Sequence, residues 1–93
     1  MNLEEVRSRR DEIVRLANQF GAHDVRIFGS VARGDSNADS DLDILVRFEK
    51  GRSLFDLIAV QQDLEEMLGC KVDVVPEGAL KGEHRILREA VAL

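Results

Sequence analysis

The 93-residue chain contains no tryptophan and no tyrosine, one cysteine, one proline and two histidines. No apolar run approaches the ~20 residues needed to cross a bilayer. Each shortage closes off a class of protein. A single Cys70 leaves no internal disulfide to staple the fold, and its place beside the apolar segment KVDVV marks it as a small core residue rather than a reactive thiol. His23 follows a helix stop and His84 falls in a helical stretch, with no second His or Cys at ligand spacing, so both read as plain surface residues. The N-terminal MNLEEVRSRR lacks the apolar core and cleavage site of a secretory signal, so the expectation is a cytoplasmic chain outside any membrane.

What is present describes an ordinary folded protein. Hydrophobic residues make up 44% and charged residues 33%, too aliphatic for disorder. The length supports one core but not two, so residues 1–93 are expected to form one domain. The net charge of −5 argues against a general nucleic-acid binder. Arg7, Arg9, Arg10 and Arg15 gather near the N-terminus and read as a solvated helix face rather than an RNA site, with a contact for an acidic partner as a further alternative.

Apolar spacing from Leu3 to Phe20 predicts a first helix stopped by Gly21, although Arg9 and Arg10 interrupt its stripe. DVRIFG (24–29) predicts a strand, SVARG a single helical turn and DSNADS a loop. In DLDILVRF, Leu42, Ile44, Val46 and Phe48 alternate with Asp41, Asp43, Leu45 and Arg47, which predicts a strand with one wholly apolar face. Ser53 and Asp56 form a capping box for a second long helix ended by Gly69. KVDVV, stopped by Pro76, predicts a third strand, and HRILREAVAL a closing helix. The expected fold is therefore α/β or α+β: a small mixed sheet of about three strands flanked by helices, with Val25, Ile27, Leu42, Ile44, Val72 and Val74 facing the core. Phe55, Leu57, Leu68, Val91 and Leu93 are expected in the core or at an interface; so small a sheet leaves some exposed, which predicts oligomerisation or docking onto a second protein.

The chemistry lies on the other face. Asp41 and Asp43, two residues apart on a strand, leave the same side about 7 Å apart and can converge on one ion. Asp73 sits between Val72 and Val74, so it points away from the core and joins them if the strands are neighbours. Three carboxylates on one face repel one another unless cations lie between them, and an all-oxygen set suits Mg²⁺ or Mn²⁺. Two bound divalent ions would offset most of the net negative charge. Gly29 and Ser30 end the preceding strand and open a turn whose N–H groups can meet a phosphate; Gly29 permits close approach, and Ser30 is expected to cap the turn and offer its hydroxyl. Asp56, Asp63 and Glu77 also lie downstream, but Asp56 reads as a helix cap and Asp63 as a solvated helix position, so strand-borne Asp73 is preferred as the third carboxylate.

The segment GSVARGDSNADSDLDILV resembles the signature of the DNA polymerase β-like nucleotidyltransferase superfamily, Gly-Ser, about ten residues, then Asp-x-Asp. Within it, the small size and the Ala-Arg-Gly followed by an acid resemble the minimal nucleotidyltransferase family, and the resemblance spans essentially the whole chain. It implies that Asp41, Asp43 and Asp73 ligate two Mg²⁺ ions, or Mn²⁺, and that Gly29 and Ser30 hold the triphosphate of ATP. Arg33 matches the family's Arg-Gly position and either touches phosphate or pairs with Asp35 or Asp39. Val31 departs from the family, where many members have a polar or basic residue.

In-line displacement at phosphorus is helped by two ions about 3.5–4 Å apart, and Asp73 could accept the acceptor's proton. Larger relatives carry a further domain that presents the acceptor; here it is expected to come from outside, and with no tyrosine the chain cannot modify one of its own. The resemblance implies an antitoxin that adenylylates a tyrosine of a HEPN-domain ribonuclease toxin. Two other readings stay open: an antitoxin that only binds its toxin, and a nucleotidyltransferase acting on a small hydroxylated molecule such as an aminoglycoside.

Overall fold

The structure, a computed structural model, describes residues 1–80, 82 and 84–93. The side chain of His84, read above as a surface residue, lies outside the described residues. Two short helices open the chain, α1 (Leu3–Ser8) and α2 (Arg10–Gln19), followed by β1 (Ala22–Phe28), α3 (Gly29–Arg33) and β2 (Leu42–Phe48). Then come α4 (Leu54–Leu68), β3 (Val72–Pro76), a 3-10 turn (Glu77–Ala79), α5 (His84–Glu89) and β4 (Val91–Ala92). The mixed sheet has the order β3-β2-β1-β4. β2 and β3 are parallel, and β1 is antiparallel to both β2 and β4. A parallel pair needs a crossover, and α4 is that connection.

The alternation in the strands decides where the core lies. α2 packs on β1, α4 packs on β3, and the two helices touch. Under them lie Val25, Ile27, Leu42, Ile44, Val46, Val72 and Val74, closed by Val6, Ile13 and Ala17 from α1 and α2 and by Val60 and Leu64 from α4. Each of the Val, Ile and Leu side chains contributes roughly 1.5–3 kcal/mol by leaving water. The α4 capping box forms as read: Ser53 accepts from Phe55 N–H while Asp56 accepts from Ser53 N–H. Among the described residues, no helix is long and apolar enough to cross a membrane.

Three elements differ from the sequence reading. The first helix is broken at Arg9, whose backbone leaves the helical region (φ −110°, ψ 20°) and whose guanidinium reaches the Met67 carbonyl near the end of α4. Arg9 thus fastens two helices together instead of joining a solvated face. The strand expected at 24–29 starts two residues earlier, at Ala22, and bends at a bulge between His23 and Arg26 where Asp24 takes φ 52°.

The last helix stops at Glu89, and Val91–Ala92 adds a fourth strand where about three were expected. The outer edge of β1 supplies the reason: its unpaired N–H and C=O groups gain partners at Arg26 and Ile27. Arg7 secures the result by donating to the Ala92 carbonyl at 3.0 Å.

Candidate active site

The site forms at the end of the sheet where β1 finishes and the parallel strands β2 and β3 begin. Cross-strand register places Phe28 beside Asp43 and Asp43 beside Asp73. Paired residues share a face, so Asp43 and Asp73 project together, opposite the core formed by their neighbours Leu42, Ile44, Val72 and Val74. Asp41 stands one residue before β2. Asp41 and Asp73 are exposed, whereas Asp43 is half-buried. Burial pushes the Asp43 carboxyl above its ordinary range, the charges of Asp73 and Asp41 push it further, and Arg33 opposes them.

Gly29 has a more exacting role than phosphate access. It takes φ 75° as the chain turns from β1 into α3, and a Cβ there would stand 2.2 Å from Asp43 Oδ2. The glycine therefore makes room for the carboxylate itself. The expectation that Ser30 caps the turn is corrected: Phe28 holds the N-cap position, with no side-chain cap bond, and Ser30 lies inside the first turn of α3. Ser30 still lines the cleft beside Asp43, together with Gly29 and Arg33. Val31 points the other way and is buried in the core, which accounts for an apolar residue at that position.

Arg33 pairs with Asp35 at 3.3 Å, one of the two partners read from the sequence, and not with Asp39. Its second partner is Glu89 on α5, at 3.5 Å. Sequence reasoning passed over Glu89 because nothing local marks it; only the packing of α5 against α3 brings it to the cleft. The other downstream acids serve elsewhere. Glu77 pairs with Arg26, Asp56 caps α4 and meets Arg52 at 3.5 Å, and Asp63 is exposed on α4.

The remaining singled-out groups have ordinary surroundings. His23 is exposed and shares a 3.0 Å hydrogen bond with Glu49. Cys70 packs against the core edge, and burial pushes its thiol up, away from the reactive thiolate. Among the described residues, no three acidic, imidazole or thiolate side chains are gathered tightly enough to hold a metal ion as they stand. The aspartates are electrostatic neighbours rather than a closed coordination shell. Their donor chemistry is nevertheless that of a hard divalent cation, whose charge would relieve the repulsion felt by Asp43.

A Gly-Ser turn set against strand-borne aspartates is the arrangement of a nucleotidyltransferase site, and a family model described as a nucleotidyltransferase domain matches residues 5–92. A candidate protein adenylyltransferase of Methanocaldococcus jannaschii is 40% identical, over 98% of this chain and 97% of that protein. The protein adenylyltransferase MntA of Thermococcus cleftensis is 42% identical, over 82% of this chain and 79% of its own length. Among solved structures, a candidate minimal nucleotidyltransferase superposes with a TM-score of 0.88 at 47% identity, covering 100% of this chain and 97% of that one. A toxin–antitoxin crystal structure with AMP-PNP is similar over 71% of this chain and 55% of its own, with a TM-score of 0.63 and 25% identity. The chain belongs to the nucleotidyltransferase domain family and, within it, to the minimal nucleotidyltransferases, and is an enzyme of that class.

Proposed function

We propose that residues 1–93 act as one domain that transfers AMP from ATP to a partner protein, as an antitoxin adenylylating a tyrosine of a HEPN-domain ribonuclease toxin in the cytoplasm. The observation that carries the reading is the register pair Asp43–Asp73 beside the Gly29–Ser30 turn, because it puts acids and an open cleft at one end of the sheet. The protein adenylyltransferase names of the relatives and the toxin–antitoxin neighbour with its ATP analogue supply the direction.

In this reading Asp41, Asp43 and Asp73 hold two Mg²⁺ ions, for which Mn²⁺ could substitute. When bound, such ions stabilise negative charge on the entering and leaving oxygens. Gly29 and Ser30 receive the triphosphate against the start of α3, and the Arg33 guanidinium balances part of its charge. Asp73, exposed beside Asp43 on the neighbouring strand, takes the proton from the tyrosine hydroxyl as that oxygen bonds to the α-phosphorus and pyrophosphate departs. Positioning and fixed charge carry most of the rate.

The test is to incubate the purified protein with Mg²⁺, α-labelled ATP and a co-expressed HEPN-domain toxin, with the Asp41→Asn/Asp43→Asn double variant as control. Label reaches the toxin only with intact carboxylates if the reading holds. Neutralisation of the toxin by the double variant, without label, would replace it with an antitoxin that only binds. Leu54, Phe55 and Ile58 at the start of α4 are exposed, Phe55 by 82%, and support the accompanying expectation of docking onto the partner or self-association. Sedimentation as a lone monomer, with and without the toxin, would count against that expectation.

A further inference from the structure

The cleft beside Asp43, about 450 Å³, has two walls. Gly29, Ser30 and Arg33 form one, and Arg85, Ile86 and Glu89 of α5 form the other. Between them the Glu89 carboxylate stands between two guanidiniums: Oε2 lies 3.5 Å from Arg33 Nη1 and Oε1 lies 3.5 Å from Arg85 Nε. Glu89 is the anchored member, with its side chain 25% exposed, whereas that of Arg85 is 80% exposed. Both separations exceed the roughly 2.7–2.9 Å of a strong charge-assisted bond, so neither guanidinium is locked, and each keeps N–H donors for another anion.

Resting on the nucleotide reading above, we infer that Arg85 is a second phosphate-binding arginine of the cleft, acting on the β- and γ-phosphates, and that Glu89 positions Arg85 and Arg33 toward them. The charge balance favours this. A triphosphate arrives strongly negative at a cleft already lined by Asp43 and Glu89, with the charges of Asp41 and Asp73 felt at Asp43, and Arg33 alone faces it from α3. A planar guanidinium on the opposite wall can engage phosphate oxygens in pairs. The competing account makes the Glu89 ion pairs a surface tie between α3 and α5, of the kind that contributes little.

Calorimetric binding of ATP, inorganic pyrophosphate and AMP to the full chain in Mg²⁺ separates the two. Arg85→Ala should weaken ATP and pyrophosphate by about tenfold while AMP changes by less than about twofold, because AMP lacks the phosphates concerned. In the transfer assay the KM for ATP should rise by a similar factor with kcat within about threefold, the pattern of lost uniform binding. Arg85→Lys should recover part of the loss by restoring charge without the fork, and Glu89→Gln should give a smaller loss of the same selectivity. Unchanged affinities in Arg85→Ala, or equal weakening of AMP and ATP, would overturn the inference in favour of a structural tie. A wild-type chain that binds no nucleotide would sink the proposed function and this inference with it. Firm wild-type ATP binding beside an unaffected Arg85→Ala would sink this inference alone.

Discussion

On one face of the sheet Leu42, Ile44, Val46, Val72 and Val74 meet α2 and α4 and are closed to water. On the other, β1, β2 and β3 carry Arg26, Asp43, Arg47 and Asp73, and among the described residues the buried apolar strand side chains there are Phe28 and Leu45, with Val75 half-buried beside Leu45. Besides α2 and α4, the sheet meets short pieces: α3 touches β1 and β2, the 3-10 turn touches β2, and α5 packs on α3. An ion pair from Arg26 to Glu77 bridges from β1 to the segment after β3, across the width of β2. The period-2 geometry of strands allows this division, since every residue facing the helices has neighbours facing away. Stability is concentrated on one face, which frees the other to hold acids that repel one another.

The largest effect should come from the helix-covered face. Ile44→Ala removes a side chain with 0% exposure from the middle of the sheet and should cost about 3–4 kcal/mol, a large share of the stability of so small a domain. Leu45→Ala, equally buried but on the acid-bearing face, should cost about 2 kcal/mol, because short covering segments can settle into the space left behind. Urea unfolding of both variants, compared at constant m-value, measures the difference. Equal costs would mean that the second face has a core of its own, and the comparison would fail.

Gly29→Ala comes next, since it acts where the two faces meet the site. The added methyl runs into Asp43 Oδ2 at a backbone angle that L-residues rarely adopt, which should cost about 1–2 kcal/mol. Displacing Asp43 by about 1 Å should lower transfer by about 100-fold. Gly34→Ala is the matched control: Gly34 also has positive φ, at 83°, but a Cβ there meets nothing within 4 Å. It should show the strain without comparable loss of transfer. Similar activities for the two variants would remove the carboxylate contact as the reason for glycine at position 29.

Much of this division could be read from the sequence because alternation is a local signal. The apolar set in DLDILVRF and the placing of Asp43 and Asp73 opposite the core follow from counting by two, and α4 was announced by Ser53 and Asp56. What escaped depends on partners distant in the chain. Arg9 breaks a helix in order to reach Met67, Val91 and Ala92 become a strand only because β1 has an open edge, and Glu89 matters only because α5 packs against α3. The closing segment satisfies helical spacing as well as it satisfies a two-residue strand, and only the tertiary hydrogen bonds decide between them.

The smallest expected effect has the opposite sign. Asp43 holds its proton more tightly folded than unfolded, first because it is half-buried and then because Asp73 and Asp41 are charged nearby, with Arg33 only partly compensating. For a carboxyl raised in this way, the unfolded state binds fewer protons once the pH passes the ordinary value of 3.8, so ionisation opposes folding. The penalty is absent below that value, grows as pH rises through the higher folded value, and is fully present at neutrality. Asp43→Asn should therefore abolish transfer yet be more stable than wild type in chelator at neutral pH. After allowance for solvent screening the gain is under about 1 kcal/mol, or a few degrees in Tm. The advantage should vanish as the pH falls toward 3. Mg²⁺ should stabilise the wild type and leave the variant nearly unmoved, since binding to the folded state alone raises stability. Thermal melts across pH, with and without the ion, decide the matter. A variant less stable than wild type at every pH would show that Asp43 is held by a favourable partner rather than strained by its neighbours, and the contrast between the two faces would then be one of chemistry alone.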